Sequence, residues 1–289
     1  MKKLILIISL GFILIASTVY VILDTFVLER HYANLADEQT TTIISTDNEN
    51  INEISEESYF TLTTYREYNT DIYVVDIILG NNQTIQSALA DNIYGKNVTD
   101  TTSNIAESVD ATLAINGDFY GARSSGYVIR NGILLRESLQ SEYQEDLVIW
   151  DDGSMSIITE GEISAQELVD QGALQVLSFG PGLIIDNEIT VNEDSKVSKE
   201  NESNPRSAIG YISENHYIFL VADGRLDESE GLSLWELANF MNELGCTQAY
   251  NLDGGGSSTL ILNDEVINNP TTNGKTIIER KVSDILYVK

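Results

Sequence analysis

The feature that most constrains the fold is a helix flanked by two apolar stretches, each ending in Asp-Gly. Residues 216–222 are typical of a buried strand, and a second apolar strand ends at Asp253. Between them, Ser233 and Glu236 form a capping-box pattern, and Gly245 follows the last residue with helical apolar spacing. The pattern predicts a strand, helix, strand crossover unit.

This crossover predicts where the polar residues after the two strands meet. If the strands are parallel, a right-handed crossover brings their carboxyl ends to one edge of the sheet, where ligands bind in open α/β folds. Asp223, Arg225 and Asp253 are then expected to converge there. Each Asp-Gly alone would also suit an ordinary turn.

The second strand runs into three glycines followed by two serines. Gly254, Gly255 and Gly256 can adopt conformations that turn backbone N–H groups inward around an anion, and Ser257 adds a hydroxyl. A flexible hairpin tip is the commoner fate of such a run, but a tip seldom starts with Asp on a buried strand. We therefore predict a binding loop.

An ordered set of segments resembles the phosphodiester glycosidase family, which includes the lysosomal uncovering enzyme and bacterial proteins named for exopolysaccharide biosynthesis. The resemblance covers roughly the last four-fifths of the chain, and the order of the segments makes it specific. It implies hydrolysis of a sugar-1-phosphodiester at the C1–O bond, releasing sugar and a phosphate monoester. The matching segments are residues 114–120, 178–183, 205–210, 221–225, 231–233, 251–258 and 279–284.

The resemblance also implies roles for charged residues. Asp253 is the first choice for the carboxylate near C1, as base for water or as nucleophile, and Asp223 is the second. Arg206 and Arg225 can each present a planar fork to phosphate oxygens. No cofactor is implied, although Asp223 and Asp253 could hold a hard cation such as Ca²⁺ or Mg²⁺.

Two residues near the end of another apolar stretch complete the predicted site. Asn116 could bond a sugar hydroxyl or cap a turn, and the resemblance favours the sugar. Asp118 has only a supporting role, because related motifs also carry glycine at its position.

The composition divides the chain into three regions. Lys2 and Lys3 precede an uncharged run, residues 4–23, and ~20 helical residues span the hydrocarbon core of a bilayer. We predict a signal anchor over residues 1–23 that holds the C-terminal domain outside the cell membrane, with secretion after signal cleavage as the alternative. An acidic stalk over 24–57 and a domain over 58–289 follow. That single domain is expected to be α/β or α+β, with a mixed sheet and packed helices.

The acidic composition limits the partners. A net charge of −29 argues against nucleic acid, so a phosphodiester-linked glycan must be bound by local cations among only 16 Lys and Arg. Two other functions stay open: a phosphodiesterase that cleaves P–O, and a non-catalytic domain that binds anionic glycans during polymer export or assembly. A scarcity of histidine, two in the chain, disfavours the first.

Overall fold

The computed structural model describes residues 13–24, 27–34, 57–192 and 202–289. Residues 57–192 and 202–289 form a sheet-rich single domain with few helices. The α-helices are α1 (residues 13–24), α2 (Thr102–Ser108), α3 (Ala165–Asp170) and α4 (Leu234–Glu243), and short 3-10 helices cover Ala90–Asn92, Tyr120–Ala122 and Gly255–Ser257. The strands are β1 (Arg30–Asn34), β2 (Tyr59–Glu67), β3 (Thr70–Ile78), β4 (Gln86–Leu89), β5 (Ile93–Lys96), β6 (Leu113–Asn116), β7 (Val128–Arg130), β8 (Ile133–Arg136), β9 (Glu145–Trp150), β10 (Met155–Thr159), β11 (Ala173–Leu177), β12 (Gly182–Ile185), β13 (Glu188–Ile189), β14 (Arg206–Ser213), β15 (His216–Ala222), β16 (Gln248–Asn251), β17 (Leu260–Leu262), β18 (Glu265–Val266) and β19 (Asp284–Val288).

The predicted crossover unit lies in a seven-stranded sheet with the order β13-β12-β16-β14-β15-β3-β2. Strand β14 pairs antiparallel with both β15 and β16, so these two run parallel to each other with β14 between them. The ladders between neighbouring strands are antiparallel throughout the described residues. As predicted, the carboxyl ends of β15 and β16 reach the same edge of the sheet.

Helix α4 begins where its sequence signals place it. The Ser233 hydroxyl accepts the Glu236 N–H, and the Glu236 carboxylate accepts the Ser233 N–H, which completes the capping box. Gly245 follows the helix with a φ of 87°, a left-handed conformation that glycine adopts without a Cβ penalty. Leu237 and Met241 of the helix pack on one face of the seven-stranded sheet.

The main core lies on the opposite face of that sheet and draws on three sheets. It joins Ile77 and Phe219 of the seven-stranded sheet to Ile115 and Leu286 of the β18-β17-β6-β19-β4 sheet. Leu147, from the β10-β9-β11-β7-β8 sheet, completes it. Because β6, β16 and β19 meet at this core, the loops after β6 and β16 and the segment before β19 gather at one place.

The N-terminal regions are described in part. Residues 1–12, the first half of the predicted anchor, lie outside the described residues, and none of the helices in the described ranges has the length and apolar character needed to cross a membrane. Within the predicted stalk, β1 pairs antiparallel with β5 of the domain, whereas residues 35–56 lie outside the described ranges.

Candidate functional site

A small cavity lies where the loops after β6 and β16 meet the segment before β19. Its volume is about 160 Å³, below the ~300–1,000 Å³ typical of pockets for whole drug-sized ligands. It suits one ring or one phosphoryl group, with the rest of a ligand outside. The lining residues are Asn97, Thr99, Asp118, Phe119, Gly121, Ala122, Asp253, Ser257, Lys281, Val282 and Ser283.

Asp253, the first choice for catalysis, lies in this cavity wall with one carboxylate oxygen bound. Its Oδ2 accepts hydrogen bonds from Arg280 Nη2 at 2.8 Å and from Ser257 Oγ at 2.7 Å. Among the described residues, no hydrogen bond reaches its Oδ1. Burial raises the pKa of Asp253, while Arg280 and Ser257 act in the opposite direction. The carboxylate is thus oriented on one side and available on the other.

Arg280 belongs to the site although sequence reasoning did not single it out. Its Nε donates to Ser257 Oγ at 2.8 Å, and its Nη2 also donates to the Gly254 carbonyl at 3.2 Å. The Arg280 side chain is 38% exposed, whereas the Asp253 side chain is only 11% exposed. Arg280 therefore covers Asp253 at the solvent boundary. The signal that could have found it is the segment 279–284, which was noted for its resemblance but given no role.

A second buried charge cluster lies beside Asp253, centred on Arg130. Arg130 Nη2 donates to Asp118 Oδ2 at 3.0 Å, and Arg130 Nε donates to Asp284 Oδ2 at 2.8 Å. All three side chains are at most 2% exposed. Burial lowers the pKa of Arg130, but Asp118 and Asp284 raise it above its ordinary value. Burial also raises the pKa of Asp284, against the lowering effect of Arg130. Sequence reasoning missed both Arg130 and Asp284.

Asp118 has more contacts than its predicted supporting role required. Its Oδ1 accepts the Tyr120 N–H at 2.8 Å, and its Oδ2 accepts the Ser178 N–H at 3.0 Å in addition to Arg130. Both oxygens are thus bound to protein donors, whereas Asp253 keeps one oxygen available. The negative charge of Asp118 also contributes to the raised pKa of Asp253. Asp118 therefore contributes to the electrostatic potential at Asp253.

Asn116 holds the backbone of the catalytic candidate. Its Nδ2 donates to the Asp253 carbonyl at 2.7 Å, and its Oδ1 accepts the Ser207 hydroxyl at 2.7 Å. The side chain is fully buried. In this arrangement Asn116 positions Asp253, and its predicted bond to a sugar hydroxyl stays a prediction.

The glycine loop is a tight turn in which two of the four N–H groups of residues 254–257 donate to the protein. The N–H groups of Gly255 and Ser257 donate to the carbonyls of Pro205 and Gly254. Gly255 has a φ of 64°, and a Cβ on Gly256 would come within 2.2 Å of Thr272 Oγ1. These glycines therefore allow close packing, and an anion cradle formed by the loop stays a prediction.

The two arginines predicted to bind phosphate lie against the glycine loop and do not line the cavity. Arg206 is 8% exposed, and its Nε donates to the Leu232 carbonyl at 2.8 Å. Arg225 donates from Nη1 to the Thr272 carbonyl at 2.8 Å and from Nη2 to Asn204 Oδ1 at 3.0 Å. Both guanidinium groups therefore hold neighbouring segments, and phosphate binding by either remains a prediction.

Asp223, the second catalytic candidate, contacts a different segment. Its Oδ1 accepts the Asn269 N–H at 2.8 Å, and its Oδ2 accepts Asn269 Nδ2 at 2.7 Å. Tyr73 Oη and Asn268 Nδ2 donate to the same carboxylate at 3.3 Å. Although Asp223 and Asp253 follow strands at the same sheet edge, Asp223 fixes residues 268–269, and only Asp253 lines the cavity.

No cation cage joins the two predicted carboxylates. Within the described ranges, no group of three or more His, Cys, Asp or Glu side chains is arranged to hold a metal ion. Asp223 and Asp253 have separate polar partners, so these two carboxylates do not form a shared site for Ca²⁺ or Mg²⁺.

Proteins with similar sequences match more than half of the chain. It is 30% identical over 201 residues to the SPbeta prophage-derived uncharacterized protein YomE of Bacillus subtilis, covering 68% of this chain and 30% of that protein. It is also 30% identical over 190 residues to the N-acetylglucosamine-1-phosphodiester alpha-N-acetylglucosaminidase of Mus musculus, covering 59% and 35%. The chain spans about a third of the length of these relatives.

Solved structures with the same fold are more distant in sequence. The zebrafish N-acetylglucosamine-1-phosphodiester alpha-N-acetylglucosaminidase catalytic domain, auto-inhibited by its pro-peptide, gives a TM-score of 0.63 at 20% identity, covering 80% of this chain and 82% of that one. A hypothetical protein from Synechocystis gives a TM-score of 0.58 at 14% identity, covering 81% of this chain and 62% of that one.

The family model for phosphodiester glycosidases matches residues 110–289. This match includes β6, both buried charge clusters, the crossover unit and the segment before β19. The chain therefore belongs to the phosphodiester glycosidase family.

Proposed function

We propose that the chain hydrolyses a sugar-1-phosphodiester at the bond between C1 and the phosphate oxygen. The observation that carries the proposal is Asp253, whose Oδ2 is held by Arg280 and Ser257 while its Oδ1 is available at the wall of a small cavity. A carboxylate fixed in this way can take a proton from water or attack C1 directly.

The reaction has a good leaving group. As the C1–O bond breaks, its electron pair leaves with the phosphate, and positive charge develops on the sugar ring next to Asp253. Water supplies the hydroxyl of the sugar product, and its proton passes to the carboxylate. Because a phosphate monoester is already a stabilised anion, departure needs no strong general acid. This suits a cavity whose other carboxylate, Asp118, is bound to donors on both oxygens.

The contacts support C–O cleavage over P–O cleavage. Phosphodiesterases that cleave P–O usually rely on metals held by several carboxylates and histidines. The cavity wall instead offers two carboxylates and no histidine among the described residues. The mouse relative's name supplies the first substrate to test, an N-acetylglucosamine-1-phosphodiester. Turnover of cell-surface glycan or exopolysaccharide is the process we propose it serves.

The products distinguish this function from the alternatives. The full chain is incubated with N-acetylglucosamine-1-(methyl phosphate), and the products are identified by mass spectrometry and ³¹P NMR. We expect N-acetylglucosamine and methyl phosphate. Release of N-acetylglucosamine-1-phosphate with methanol would instead show P–O cleavage, and binding without turnover would show an anionic-glycan-binding domain. Hydrolysis in ¹⁸O-water adds a second criterion, because C–O cleavage places the label on the sugar.

We also propose that residues 1–23 anchor the protein in the cell membrane with the domain outside. The two lysines before the uncharged run support this orientation, since positive residues stay on the cytoplasmic side. An extracellular domain would meet phosphodiester-linked glycans directly.

A further inference from the structure

One lysine lines the candidate cavity beside Asp253. The Lys281 side chain is 63% exposed and follows Arg280 in the segment before β19. Of the cavity-lining residues, all within the described ranges, Lys281 alone has a positively charged side chain.

The backbone on both sides of Lys281 is fixed. Val282 N–H donates to the Asp100 carbonyl at 2.7 Å, and Arg280 N–H donates to the Gly256 carbonyl at 3.2 Å. The Arg280 side chain is held in turn by Asp253. The position of the Lys281 backbone is therefore fixed, while the flexible aliphatic chain lets the ammonium group change position.

The ion pair made by Lys281 is weak and replaceable. Its Nζ lies 3.7 Å from Asp100 Oδ1, and exposed pairs of this kind contribute little stability. The same Oδ1 already accepts the Thr101 N–H at 2.8 Å and Asn104 Nδ2 at 3.0 Å. Asp100 would thus keep two donors if the ammonium moved to another anion.

The cations that bind the buried carboxylates beside the cavity are already neutralised. Arg280 is paired with Asp253, and Arg130 is shared between Asp118 and Asp284. Moving either toward a phosphate would leave a buried carboxylate without its cation, which is costly. Lys281 can approach an anion without that cost. Because the cavity is small, a ligand group that contacts Asp253 also lies close to Lys281.

We propose that Lys281 binds the phosphate of the leaving group and selects phosphodiester-linked sugars over neutral glycosides. The inference rests on the proposed function and assigns its anion-recognition group. A phosphodiester carries one negative charge, whereas the phosphate monoester that departs carries up to two near neutral pH. The attraction to the Lys281 ammonium therefore grows as the C1–O bond breaks, so it favours the transition state over the bound substrate.

The test compares two leaving groups on one sugar. Full-length wild type and Lys281→Gln are assayed with N-acetylglucosamine-1-(methyl phosphate) and with the uncharged 4-nitrophenyl N-acetylglucosaminide. We expect kcat/KM for the phosphodiester to fall about 10- to 100-fold in Lys281→Gln, while that for the neutral glycoside changes less than about threefold. Lys281→Arg should restore most of the phosphodiester activity, because it restores the charge.

Controls separate a local role from a general one. Lys275→Gln removes an exposed lysine that does not line the cavity and should leave both rates unchanged. Equal losses with both substrates, or wild-type phosphodiester kinetics in folded Lys281→Gln, would overturn the inference while the proposed function stood. If wild type hydrolyses neither substrate, the proposed function fails, and calorimetry with the phosphodiester decides the inference. Affinity weakened at least about tenfold in Lys281→Gln would support it, and equal affinities would overturn it.

Discussion

Arg280 Nη2 lies 2.8 Å from Asp253 Oδ2, joining a partly exposed cation to a buried carboxylate at the edge of the cavity. Burial favours the neutral acid at Asp253, and Arg280 favours the ionised carboxylate. Since a base or nucleophile must be ionised, the pair controls the pH at which Asp253 can act.

Replacing Arg280 is therefore expected to shift the pH dependence of activity. In Arg280→Gln the burial effect is no longer opposed by a cation, so the pKa of Asp253 rises and the ionised fraction falls at a given pH. The acid limb of the kcat/KM profile should move to higher pH by about one unit or more. Arg280→Lys, which keeps the charge, should shift it less. An unchanged acid limb in Arg280→Gln would show that Asp253 does not set this limb.

Asp253→Asn tests the carboxylate itself. The variant keeps the size of the side chain but removes its charge, so kcat should fall by about 10²–10⁴-fold. Affinity for the anionic substrate should hold or improve, because one repulsive charge is lost. Circular dichroism checks the fold, and binding is measured by calorimetry. Near-normal kcat in folded Asp253→Asn would exclude a catalytic role and return attention to Asp223.

Local patterns predicted the elements around the site well. The Ser233 and Glu236 pattern set the start of α4, and β15 occupies the stretch predicted as a strand. The common sheet edge for Asp223 and Asp253 also followed from the crossover. Capping and strand patterns depend on residues a few positions apart, so they can be recognised in a single sequence without knowledge of the tertiary structure.

The partners of the site residues could not be predicted in the same way. Arg280 is 27 residues from Asp253, and Arg130 is 154 residues from Asp284. Such pairs depend on how three sheets pack together, and nothing in either local segment specifies the other. The direction of a side chain after a strand ends also depends on the loop, which is why Asp223 and Asp253 contact different segments.

The proposed membrane topology predicts the result of protease treatment of intact cells. Protease should digest the C-terminal domain and leave a short membrane-retained N-terminal fragment, because residues 1–23 would be protected by the bilayer. Immunoblotting with tags at each end measures this. Quantitative release of a mature protein that begins near residue 24 would show that the segment is a cleaved signal.

Asp223→Ala is expected to affect stability more than chemistry. Its carboxylate accepts hydrogen bonds from Tyr73, Asn268 and Asn269, and the substitution leaves these donors without their acceptor. The free energy of unfolding should fall by about 1–3 kcal/mol, while kcat of the folded fraction changes less than in Asp253→Asn. Urea unfolding and single-turnover kinetics measure the two effects. Large loss of kcat with unchanged stability would make Asp223 the catalytic carboxylate.

Asp146 should make the folded protein less stable as pH rises, the opposite of the usual effect of a carboxylate. It is fully buried, and no cation pairs with its carboxylate within the described part of the chain. Burial, with the nearby charge of Glu160, raises the pKa of Asp146 to about 9. In the unfolded chain its pKa is about 3.9, so between these values the folded state binds more protons.

The stabilising contribution of protonated Asp146 is therefore complete below about pH 4 and is lost as pH rises toward 9, by at most about 1.4 kcal/mol per pH unit. Asp146→Asn has no proton to lose, so its free energy of unfolding relative to wild type should increase steadily from pH 5 to pH 9 in urea titrations. Asp152→Asn is the matched control, because Ser154 lowers the pKa of that exposed carboxylate and it stays ionised across this window. A constant difference between Asp146→Asn and wild type would mean that Asp146 is already ionised in the folded protein and is balanced by a cation.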